Sequence, residues 1–443
     1  MSLTPDTPLA IIGAGPVGLA AAAQAHRRGL PVRVYEASDA AGANVREWGH
    51  VRLFSPWHML IESAGLALLD RVGWTAPDPD ALPTGTEFAA RWLDPLAATM
   101  GDAIRFRSRV VRVARPGGPT KPFALTLQRP DGAEEVAAAG AVIDTSGTWA
   151  TPNPLGADGH VAPGERLAPI VYGTPDVLGA ERPRFEGRRI LVAGAGHSAA
   201  HVLLDLARLP GTDVVWTVRG RDPARLWGGV EADALPARGA LGTDVSALVA
   251  SRRVRLVTGF RTKRIDVDRA GVTVVADDGR WIGPVDIIVA ATGQHPDLEP
   301  LKDLAIDLDP DLEAPRRLAP LIDPRVHSCG TVPPHGHILL AHPEPRFWIA
   351  GAKSYGRAPT FLMATGYEQV RSIVAHLAGD HAAADEVRLV LPETGACSGV
   401  GRSCCGGPPR AAGACCALDE AAKASGASGC GCGATARSDH VLV

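Results

Sequence analysis

The chain contains two similar blocks in which runs of apolar residues are separated by more polar or glycine-rich segments. In each block, a short run of strand-forming apolar residues leads into a glycine-rich loop, an alanine- and leucine-rich stretch and a second apolar run. The predicted strand, helix and strand are residues 9–12, 19–28 and 32–35 in the first block and residues 190–193, 201–209 and 214–218 in the second. Strands that alternate with helices in this way form parallel sheets covered by helices. The pattern therefore predicts an α/β fold with two doubly wound, Rossmann-like domains.

Both glycine-rich loops have the spacing of a dinucleotide-binding loop. The first contains Gly13, Gly15 and Gly18, and the second contains Gly194, Gly196 and, after His197 and Ser198, Ala199. The first glycine of such a loop permits the tight turn from strand to helix, the second lets the backbone approach a pyrophosphate, and the third small residue lets the helix pack closely on the strand. The helix that follows presents free N–H groups to the anion. We therefore predict two nucleotide sites.

The residue that ends the second strand differs in charge between the two blocks. Glu36 follows this strand in the first block, and a carboxylate there accepts hydrogen bonds from both ribose hydroxyls of an adenosine. Arg219 and Arg221 follow the corresponding strand of the second block, and guanidinium groups suit a 2′-phosphate. The two sites are thus predicted to bind different nucleotides, and the second is predicted to bind NADPH.

The overall charge balance excludes some partners. The 443 residues include 45 basic and 48 acidic side chains, which gives a net charge of −3, so we expect no nucleic-acid partner. The uncharged stretch at residues 7–25 contains the first glycine loop and has no basic segment before it. We interpret it as a buried strand and helix rather than a signal or membrane segment. We expect a cytoplasmic protein without a membrane partner.

Cysteine is concentrated at the C-terminal end. Cys329 is the only cysteine before residue 397, and the other seven of the eight follow it. This tail, residues 391–443, has few large apolar residues and is predicted to be disordered without a ligand. Several thiolates on a flexible chain can converge on one soft ion, such as As(III), Cu(I) or Zn(II). The candidate ligands are Cys404, Cys405, Cys415, Cys416, Cys430 and Cys432.

Each block also ends in a further apolar strand. Residues 140–147 and 285–293 both stop at a turn of small residues, which indicates an internal duplication of one nucleotide-binding architecture. Residues 281–295 resemble the Ala-Thr-Gly strand that returns the chain from the NAD(P) domain to the FAD domain in two-dinucleotide-domain flavoproteins. This resemblance implies that FAD occupies the first site and that the NADPH domain is inserted in a discontinuous FAD domain. The implied domains are residues 1–184 and 291–390 for FAD, 185–290 for NADPH and 391–443 for the tail.

Within this superfamily, two further resemblances bear on the reaction. Residues 185–198 resemble the start of the NADPH domain of flavin-containing monooxygenases, which implies peroxyflavin chemistry with O2. The Phe-x-Gly-x-x-x-His signature of those enzymes is not kept, because residues 171–177 contain neither the Phe nor the His. Thioredoxin-reductase-like enzymes share both domains but need a Cys-x-x-Cys pair beside the flavin, and no such pair precedes the tail.

The cysteine pairs of the tail resemble the C-terminal extension of flavin-dependent oxidoreductases from arsenic-resistance gene clusters. The resemblance implies an NADPH-dependent FAD monooxygenase or oxidoreductase that oxidises As(III), an organoarsenical or another soft nucleophile. Two alternatives stay open: a flavin reductase that passes electrons to the tail dithiols, to disulfides or to metal ions, and a metalloid-binding protein with a vestigial flavin. The expected partners are a small-molecule substrate, O2 and, in a homodimer, a second copy of the chain.

The resemblance also places residues around the flavin, on two segments near residues 54–58 and 351–361. Candidate flavin-binding residues outside the first loop are Trp57, Gly293, Gly351, Thr360 and Phe361, and candidate catalytic residues are His58, Lys353, Tyr355 and Arg357. The catalytic candidates of the second segment would stabilise a reduced or peroxy flavin anion. A further candidate for acid–base chemistry or metal binding is the group His327, Cys329, His335, His337 and His342.

Overall fold

Two five-stranded parallel sheets organise the chain. The structure is a computed structural model that describes residues 2–227, 235–324 and 332–389. Its strands in these ranges are β1 (Leu9–Ile12), β2 (Val32–Tyr35), β3 (Ile104–Arg105), β4 (Arg109–Ala114), β5 (Phe123–Gln128), β6 (Glu134–Ala139), β7 (Ala141–Asp144), β8 (Ile170–Tyr172), β9 (Arg189–Ala193), β10 (Asp213–Thr217), β11 (Arg255–Val257), β12 (Thr262–Asp268), β13 (Gly271–Ala276), β14 (Trp281–Val285), β15 (Ile287–Ala290) and β16 (Phe347–Ile349).

The helices lie mainly between the parallel strands. They are α1 (Pro16–Arg27), α2 (Ala43–Glu47), α3 (Trp57–Leu60), α4 (Ser63–Asp70), α5 (Gly85–Phe88), α6 (Asp94–Met100), α7 (Arg182–Phe185), α8 (His197–Leu206), α9 (Pro236–Ala250), α10 (Ala319–Ile322), α11 (Met363–Leu377) and α12 (His381–Asp385). Both predicted loop helices begin earlier than the sequence pattern indicated, because each starts directly after the second glycine of its loop. None of the helices in the described ranges combines the length and apolarity needed to cross a bilayer.

The two parallel sheets are built alike. The first has the order β3-β2-β1-β7-β16 and the second has the order β11-β10-β9-β15-β8. An antiparallel three-stranded sheet precedes each return strand, β4-β5-β6 before β7 and β12-β13-β14 before β15. The predicted fold class, α/β with two Rossmann-like domains, is confirmed, and the matching strand orders agree with a duplicated architecture.

Alternate side chains of each central strand face two different cores. Leu9 and Ile11 of β1 pack in the core that contains α1 and α11, whereas Ala10 and Ile12 pack against the sheet β4-β5-β6. Strand β9 divides its side chains between α8 and the second antiparallel sheet in the same way. Because both faces of the parallel sheets are buried, their strands occur in the sequence as continuous apolar runs.

The edge strand that pairs with the return strand of each parallel sheet shows how the second sheet is inserted in the chain. In the first sheet this strand is β16, which follows the return strand β7 and pairs with it. In the second sheet it is β8, which precedes β9 and pairs with the return strand β15. The second sheet therefore draws on residues before 185, the predicted start of the NADPH domain. The domain limits themselves stay a prediction.

Two chain segments connect the two parallel sheets, and they pair with each other. Pro152 and Gln294 form an antiparallel bridge, and the N–H of Asn153 donates to the carbonyl oxygen of Gly293 at 2.9 Å. The side-chain amide of Asn153 also donates to the carbonyl oxygens of Thr292 and Gln294, at 3.2 and 3.3 Å. These bonds hold the outgoing and returning segments side by side.

Candidate active site

The first glycine loop leaves room for a ligand beside Gly15. Gly13 has a φ of 96° and its N–H donates to the carbonyl oxygen of Tyr35 at 2.8 Å, so this residue makes the turn that ends β1. A Cβ on Gly18 would lie 1.9 Å from the carbonyl oxygen of Gly13, whereas a Cβ on Gly15 would meet no protein atom within 4 Å. Gly15 is the N-cap residue of α1, and because it has no side chain it does not cap the first N–H groups of the helix. The loop therefore combines open space with free N–H groups, as an anion site requires.

Glu36 lies at the end of β2, next to this loop. Its Oε2 accepts a hydrogen bond from the N–H of Ala14 at 2.7 Å, and its Oε1 accepts one from the N–H of Ser38 at 2.8 Å. These bonds hold the buried carboxylate in place, and each oxygen keeps lone pairs for a ribose hydroxyl. The geometry suits the predicted contact with an adenosine ribose, and that contact stays a prediction.

The second glycine loop repeats the geometry of the first. A Cβ on Gly194, whose φ is 139°, would lie 2.0 Å from the carbonyl oxygen of Ala291, whereas a Cβ on Gly196 would meet no protein atom within 4 Å. Gly196 is the N-cap residue of α8 and likewise leaves the first N–H groups of the helix without a side-chain cap. Ala199 is fully buried in the core beneath the helix. A second open anion site therefore lies at the start of α8.

Basic side chains lie at the carboxyl end of β10. Arg219 and Arg221 follow this strand and are exposed, and among the described residues neither forms an ion pair. By contrast, Arg280 is paired with Asp278 at 2.7 Å and donates to the carbonyl oxygen of Gly259 at 2.6 Å. Unpaired guanidinium groups at this edge of the sheet are suited to a phosphate.

Side chains from both halves of the chain enclose a pocket of about 250 Å³, which we call the reaction pocket. His197, Ser198 and His201 enter it from the first turns of α8. Phe54 and Phe361, from the two segments predicted to lie beside a flavin, form walls of the same pocket. Its other walls include Trp48, Trp149 and Thr174. The second nucleotide loop and the predicted flavin segments therefore converge on one cavity.

Phe54 also lines a second, larger cavity of about 900 Å³, which we call the large chamber. The ring of Phe54 lies 5.2 Å from the ring of His197. The guanidinium carbon of Arg238, a buried residue of α9, lies 5.8 Å from the centre of the same ring. Phe54 belongs to the part of the chain that forms the first sheet, yet it is held by two side chains that follow strands of the second.

Lys353 is buried and its charge is neutralised. Its Nζ donates to Oδ2 of Asp144 at 2.7 Å and to Oγ of Ser146 at 3.1 Å, and both side chains of the ion pair are 2% exposed. Asp144 ends β7, and Lys353 follows β16 in the neighbouring position of the sheet. The lysine therefore ties the turn after β16 to the end of β7 and does not present an unpaired cation.

Tyr355 and Arg357 lie in different places although they are close in sequence. Tyr355 is buried, and its ring meets the ring of Phe361 edge-on with the ring centres 5.3 Å apart. Arg357 donates to Oδ1 of Asn153 at 3.2 Å and to Oε1 of Glu313 at 2.9 Å. The structure thus packs Tyr355 against Phe361, which lines the reaction pocket, and places Arg357 at the paired connecting segments.

The turn after β16 is held by a buried glutamine. Gly351 has a φ of 70°, and its N–H donates to Oε1 of Gln369 at 2.8 Å. The amide nitrogen of Gln369 donates to Oγ of Ser354 and to Nε2 of His335, both at 2.9 Å. Burial lowers the pKa of His335, and its Nδ1 lies 3.0 Å from the carbonyl oxygen of Pro333, so Nε2 is the acceptor of a neutral ring. The N–H of Gly351 is consequently already used within the protein.

Thr360 presents a buried polar atom to the same region. Its side chain is 5% exposed, and its Oγ1 has no hydrogen-bond partner among the described residues. A buried hydroxyl without a partner costs free energy unless a ligand or water supplies one. Because the next residue, Phe361, lines the reaction pocket, Thr360 is well placed to bind a polar edge of a cofactor.

Three other predicted residues lie away from the reaction pocket. Trp57 is fully buried in the core, with its ring centre 6.0 Å from that of Phe88. His58 is exposed, its Nδ1 lies 3.0 Å from the carbonyl oxygen of Pro79, and it lines the large chamber. Gly293, with a φ of 78°, belongs to the paired connecting segments. The structure therefore does not bring His58 together with Lys353 or Tyr355.

The sequence did not predict some residues that line the reaction pocket, namely His201, Trp149 and Thr174. His201 lies one turn after His197 on the same face of α8, and this spacing of four residues could have identified it. Burial lowers the pKa of His201, and the neighbouring His50 lowers it further. Trp149 and Thr174 lie in irregular segments, whose position depends on how the two sheets are connected.

The predicted cysteine ligands Cys404, Cys405, Cys415, Cys416, Cys430 and Cys432 lie outside the described residues, as do His327 and Cys329. The histidines of the same group that are described lie apart. His337 stacks on His376 with ring centres 4.4 Å apart, while Nδ1 of His342 accepts the N–H of Asp307 at 3.2 Å. Within the described ranges, no three or more His, Cys, Asp and Glu side chains are placed to hold a metal ion.

Comparison with known proteins supports the two-domain architecture. The sequence pattern of the family described as "Pyridine nucleotide-disulphide oxidoreductase" matches residues 10–316. Indole-3-pyruvate monooxygenase YUCCA1 of Oryza sativa subsp. japonica is 32% identical over 201 residues, which cover 45% of this chain and 44% of that protein. The matched region thus spans less than half the length of this curated relative.

Solved structures resemble the fold over a larger part of the chain. Bacillithiol disulfide reductase from Bacillus cereus has a TM-score of 0.63 at 20% identity, covering 84% of this chain and 99% of its own. FAD-bound DfoA, the desferrioxamine-pathway cadaverine monooxygenase from Erwinia amylovora, has a TM-score of 0.61 at 14% identity, covering 88% and 97%. At these identities the similarity shows a shared fold.

Proposed function

Because the chain belongs to the pyridine nucleotide-disulphide oxidoreductase family, we propose that it is an NADPH-dependent FAD oxidoreductase of the monooxygenase type. One observation carries this proposal: His197 and Ser198 of the second nucleotide loop line the same pocket as Phe54 and Phe361 of the first half. A nicotinamide that extends from the second loop and a flavin that extends from the first would meet there. Hydride transfer needs such close placement of the two rings.

The residues present suit both nucleotides. FAD would place its pyrophosphate in the open space at Gly15 and its adenosine ribose at Glu36, and Thr360 would contact its ring. NADPH would place its pyrophosphate at Gly196 and its 2′-phosphate at the arginines that follow β10. When bound, the flavin supplies hydride acceptance and reaction with O2. The protein would hold the two rings together in a pocket of about 250 Å³.

The proposed substrate is trivalent arsenic or another soft nucleophile. The support is the cysteine-rich tail and its resemblance to proteins of arsenic-resistance clusters. Residues 1–396 contain one cysteine, Cys329, so this part of the chain cannot form a dithiol that takes electrons from the flavin. Direct reaction of the reduced flavin with O2 is therefore favoured over a dithiol relay inside the body. The curated relative matched above is named a monooxygenase, which agrees with this type of reaction.

A reductase is the second candidate, because the tail itself carries seven cysteines that could receive electrons. NADPH oxidation by the FAD-loaded protein, followed with and without O2 and with and without arsenite, separates the two. Without O2, a monooxygenase consumes only the one equivalent of NADPH that reduces its flavin; with O2 it turns over and yields oxidised arsenic, which speciation of the product detects. Oxygen-independent NADPH oxidation that reduces tail disulfides would instead establish the reductase. Absence of NADPH oxidation under all four conditions would contradict both.

The tail can be tested separately from the redox reaction. Deletion of residues 397–443 should leave FAD content and hydride transfer from NADPH nearly intact, because both glycine loops, both return strands and α11 precede the deletion. The same deletion should abolish tight As(III) binding, measured by arsenite titration of free thiols. A full-length variant with all seven tail cysteines changed to serine is the matched control. If the truncated protein binds As(III) as tightly as the parent, the capture site lies elsewhere.

A further inference from the structure

The large chamber has the size of a binding site for a whole organic molecule. Its volume is about 900 Å³, and pockets for small molecules are roughly 300–1,000 Å³. Apolar side chains from several elements form much of its wall, among them Met59 and Ile61 near α3, Leu82, and Leu235 at the start of α9. A small inorganic molecule such as arsenous acid would neither fill this volume nor use these walls. The chamber is therefore suited to a ligand with an apolar body.

The acidic side chains on the wall of the chamber are not all balanced. Glu368 is buried and paired with Arg371 through two hydrogen bonds of 2.6 and 2.8 Å. Asp80 is exposed at the rim, 3.6 Å from Nδ1 of His58. Glu62 is 5% exposed, and among the described residues no basic side chain lies within 4.0 Å of its carboxylate. Glu62 is therefore a buried carboxylate of the wall that forms no ion pair among the described residues. Arg388, which also lies on the wall, is paired with Glu386 at 2.6 Å.

Neutral donors hold the carboxylate of Glu62 in a fixed orientation. Oε1 accepts from Nε2 of Gln24 at 2.6 Å, and Oε2 accepts from the N–H of Gly65 at 2.8 Å as the N-cap of α4. The start of α4 helps to stabilise the charge, but a helix end contributes only about half an elementary charge. The negative charge of Glu62 therefore still acts on Tyr367, which also lines the chamber. Burial, and in addition the negative charge of Glu62, raises the pKa of the Tyr367 hydroxyl.

We propose that the large chamber binds an organic cation with an apolar body and that Glu62 provides the counter-charge. The inference deepens the proposed function and rests on it for the role of this ligand as substrate, which would then be an organic soft nucleophile that carries a cationic group rather than arsenite. Phe54 lines both the chamber and the reaction pocket, so the two cavities are neighbours. Binding in the chamber is measurable without NADPH. Failure of binding and failure of NADPH oxidation are therefore separate results.

The test uses three probes that share one apolar body: 4-phenylbutylamine, 4-phenylbutan-1-ol and 4-phenylbutyrate. Their dissociation constants are measured by calorimetry on the FAD-loaded, full-length protein at neutral pH. We expect the amine to bind about tenfold or more tightly than the alcohol, and the carboxylate to bind most weakly, because a hydrogen bond to a buried charge favours the ligand of opposite charge. Equal binding of amine and alcohol by the parent protein would overturn the proposal without any variant.

Variants then locate the charge. Glu62→Gln should remove the advantage of the amine and leave the affinity for the alcohol within about twofold, because the amide keeps an acceptor but has no charge. Asp80→Asn, which removes a carboxylate from the exposed rim, is the matched control and should change none of the three constants appreciably. Ala364→Phe, which narrows the chamber from α11, should weaken all three probes. Retention of the amine preference in Glu62→Gln, or unchanged binding in Ala364→Phe, would refute the assignment.

Discussion

Replacing Lys353 by methionine asks whether this lysine stabilises the fold or acts at the flavin. Methionine keeps an unbranched apolar stem and removes the charge, so Asp144 would stay buried without its cation. Only the N–H and hydroxyl of Ser146, which donate to Oδ1 of Asp144 at 3.0 and 2.7 Å, would remain as partners. Removal of one partner from a buried ion pair costs about 3–5 kcal/mol. Because Ser146 still serves the carboxylate, we expect a loss of about 3 kcal/mol in the free energy of unfolding.

Equilibrium urea unfolding of the FAD-loaded protein, followed by tryptophan fluorescence, measures this loss. Lys302→Met is the matched control, since Lys302 is exposed in its pair with Glu299 and its removal should have no measurable effect. The double variant Asp144→Asn/Lys353→Met should recover part of the stability, because it leaves no charge buried. A loss of less than about 1 kcal/mol in the free energy of unfolding of Lys353→Met would contradict a stabilising role of this ion pair. If Lys353→Met has unchanged stability but oxidises NADPH more slowly, Lys353 acts at the flavin rather than in the stability of the fold.

Three further predictions concern the nucleotide loops and a buried histidine. Gly15→Val should not change the urea midpoint of the FAD-free protein, because Gly15 has a φ of −76° and a Cβ there would meet no protein atom within 4 Å. The same variant should lose FAD on gel filtration, because the side chain would fill the space of the pyrophosphate. Retained FAD would show that the flavin binds elsewhere. Arg219→Ala/Arg221→Ala should lower the ratio of kcat/KM for NADPH over NADH by roughly tenfold or more, since a charge-assisted phosphate contact contributes about 1.5–3 kcal/mol; an unchanged ratio excludes these arginines. Burial lowers the pKa of His342 from 6.5 to about 4. Between these values the unfolded chain binds a proton that the folded chain does not, so the free energy of unfolding should fall as the pH drops from 6.5 towards 4. His342→Asn should flatten this slope, and equal slopes in both proteins would count against the assignment.

The parallel sheets were predictable because local sequence and tertiary environment agree in them. β1 and β9 are buried on both faces, so four consecutive apolar residues mark each strand. The glycine loops add a second local signal directly after those strands. A Cβ at Gly18 or Gly194 would overlap a carbonyl oxygen of the backbone, so the pattern of small residues reports a steric requirement.

The antiparallel sheets and most of the pocket were not predictable in this way. β12 buries only Thr262 and Ile265 among its seven residues, so it has the composition of a polar surface segment. The ion pair between Asp144 and Lys353 joins residues 209 positions apart, and it forms only because β16 pairs with β7. The dinucleotide motif placed Glu36 at a nucleotide and the resemblance placed Lys353 near the flavin, but only the contacts show that the charge of the lysine is neutralised by Asp144.

The insertion of the second sheet makes closure of the reaction pocket depend on both halves of the chain. The second sheet is attached through two paired segments, and Arg357 fastens them by donating to Asn153 and Glu313. Phe54, which lines the pocket, contacts both His197 and Arg238. Since His197 begins the helix of the second glycine loop, the residues that would receive the nicotinamide nucleotide also contact the side chain that lines both cavities.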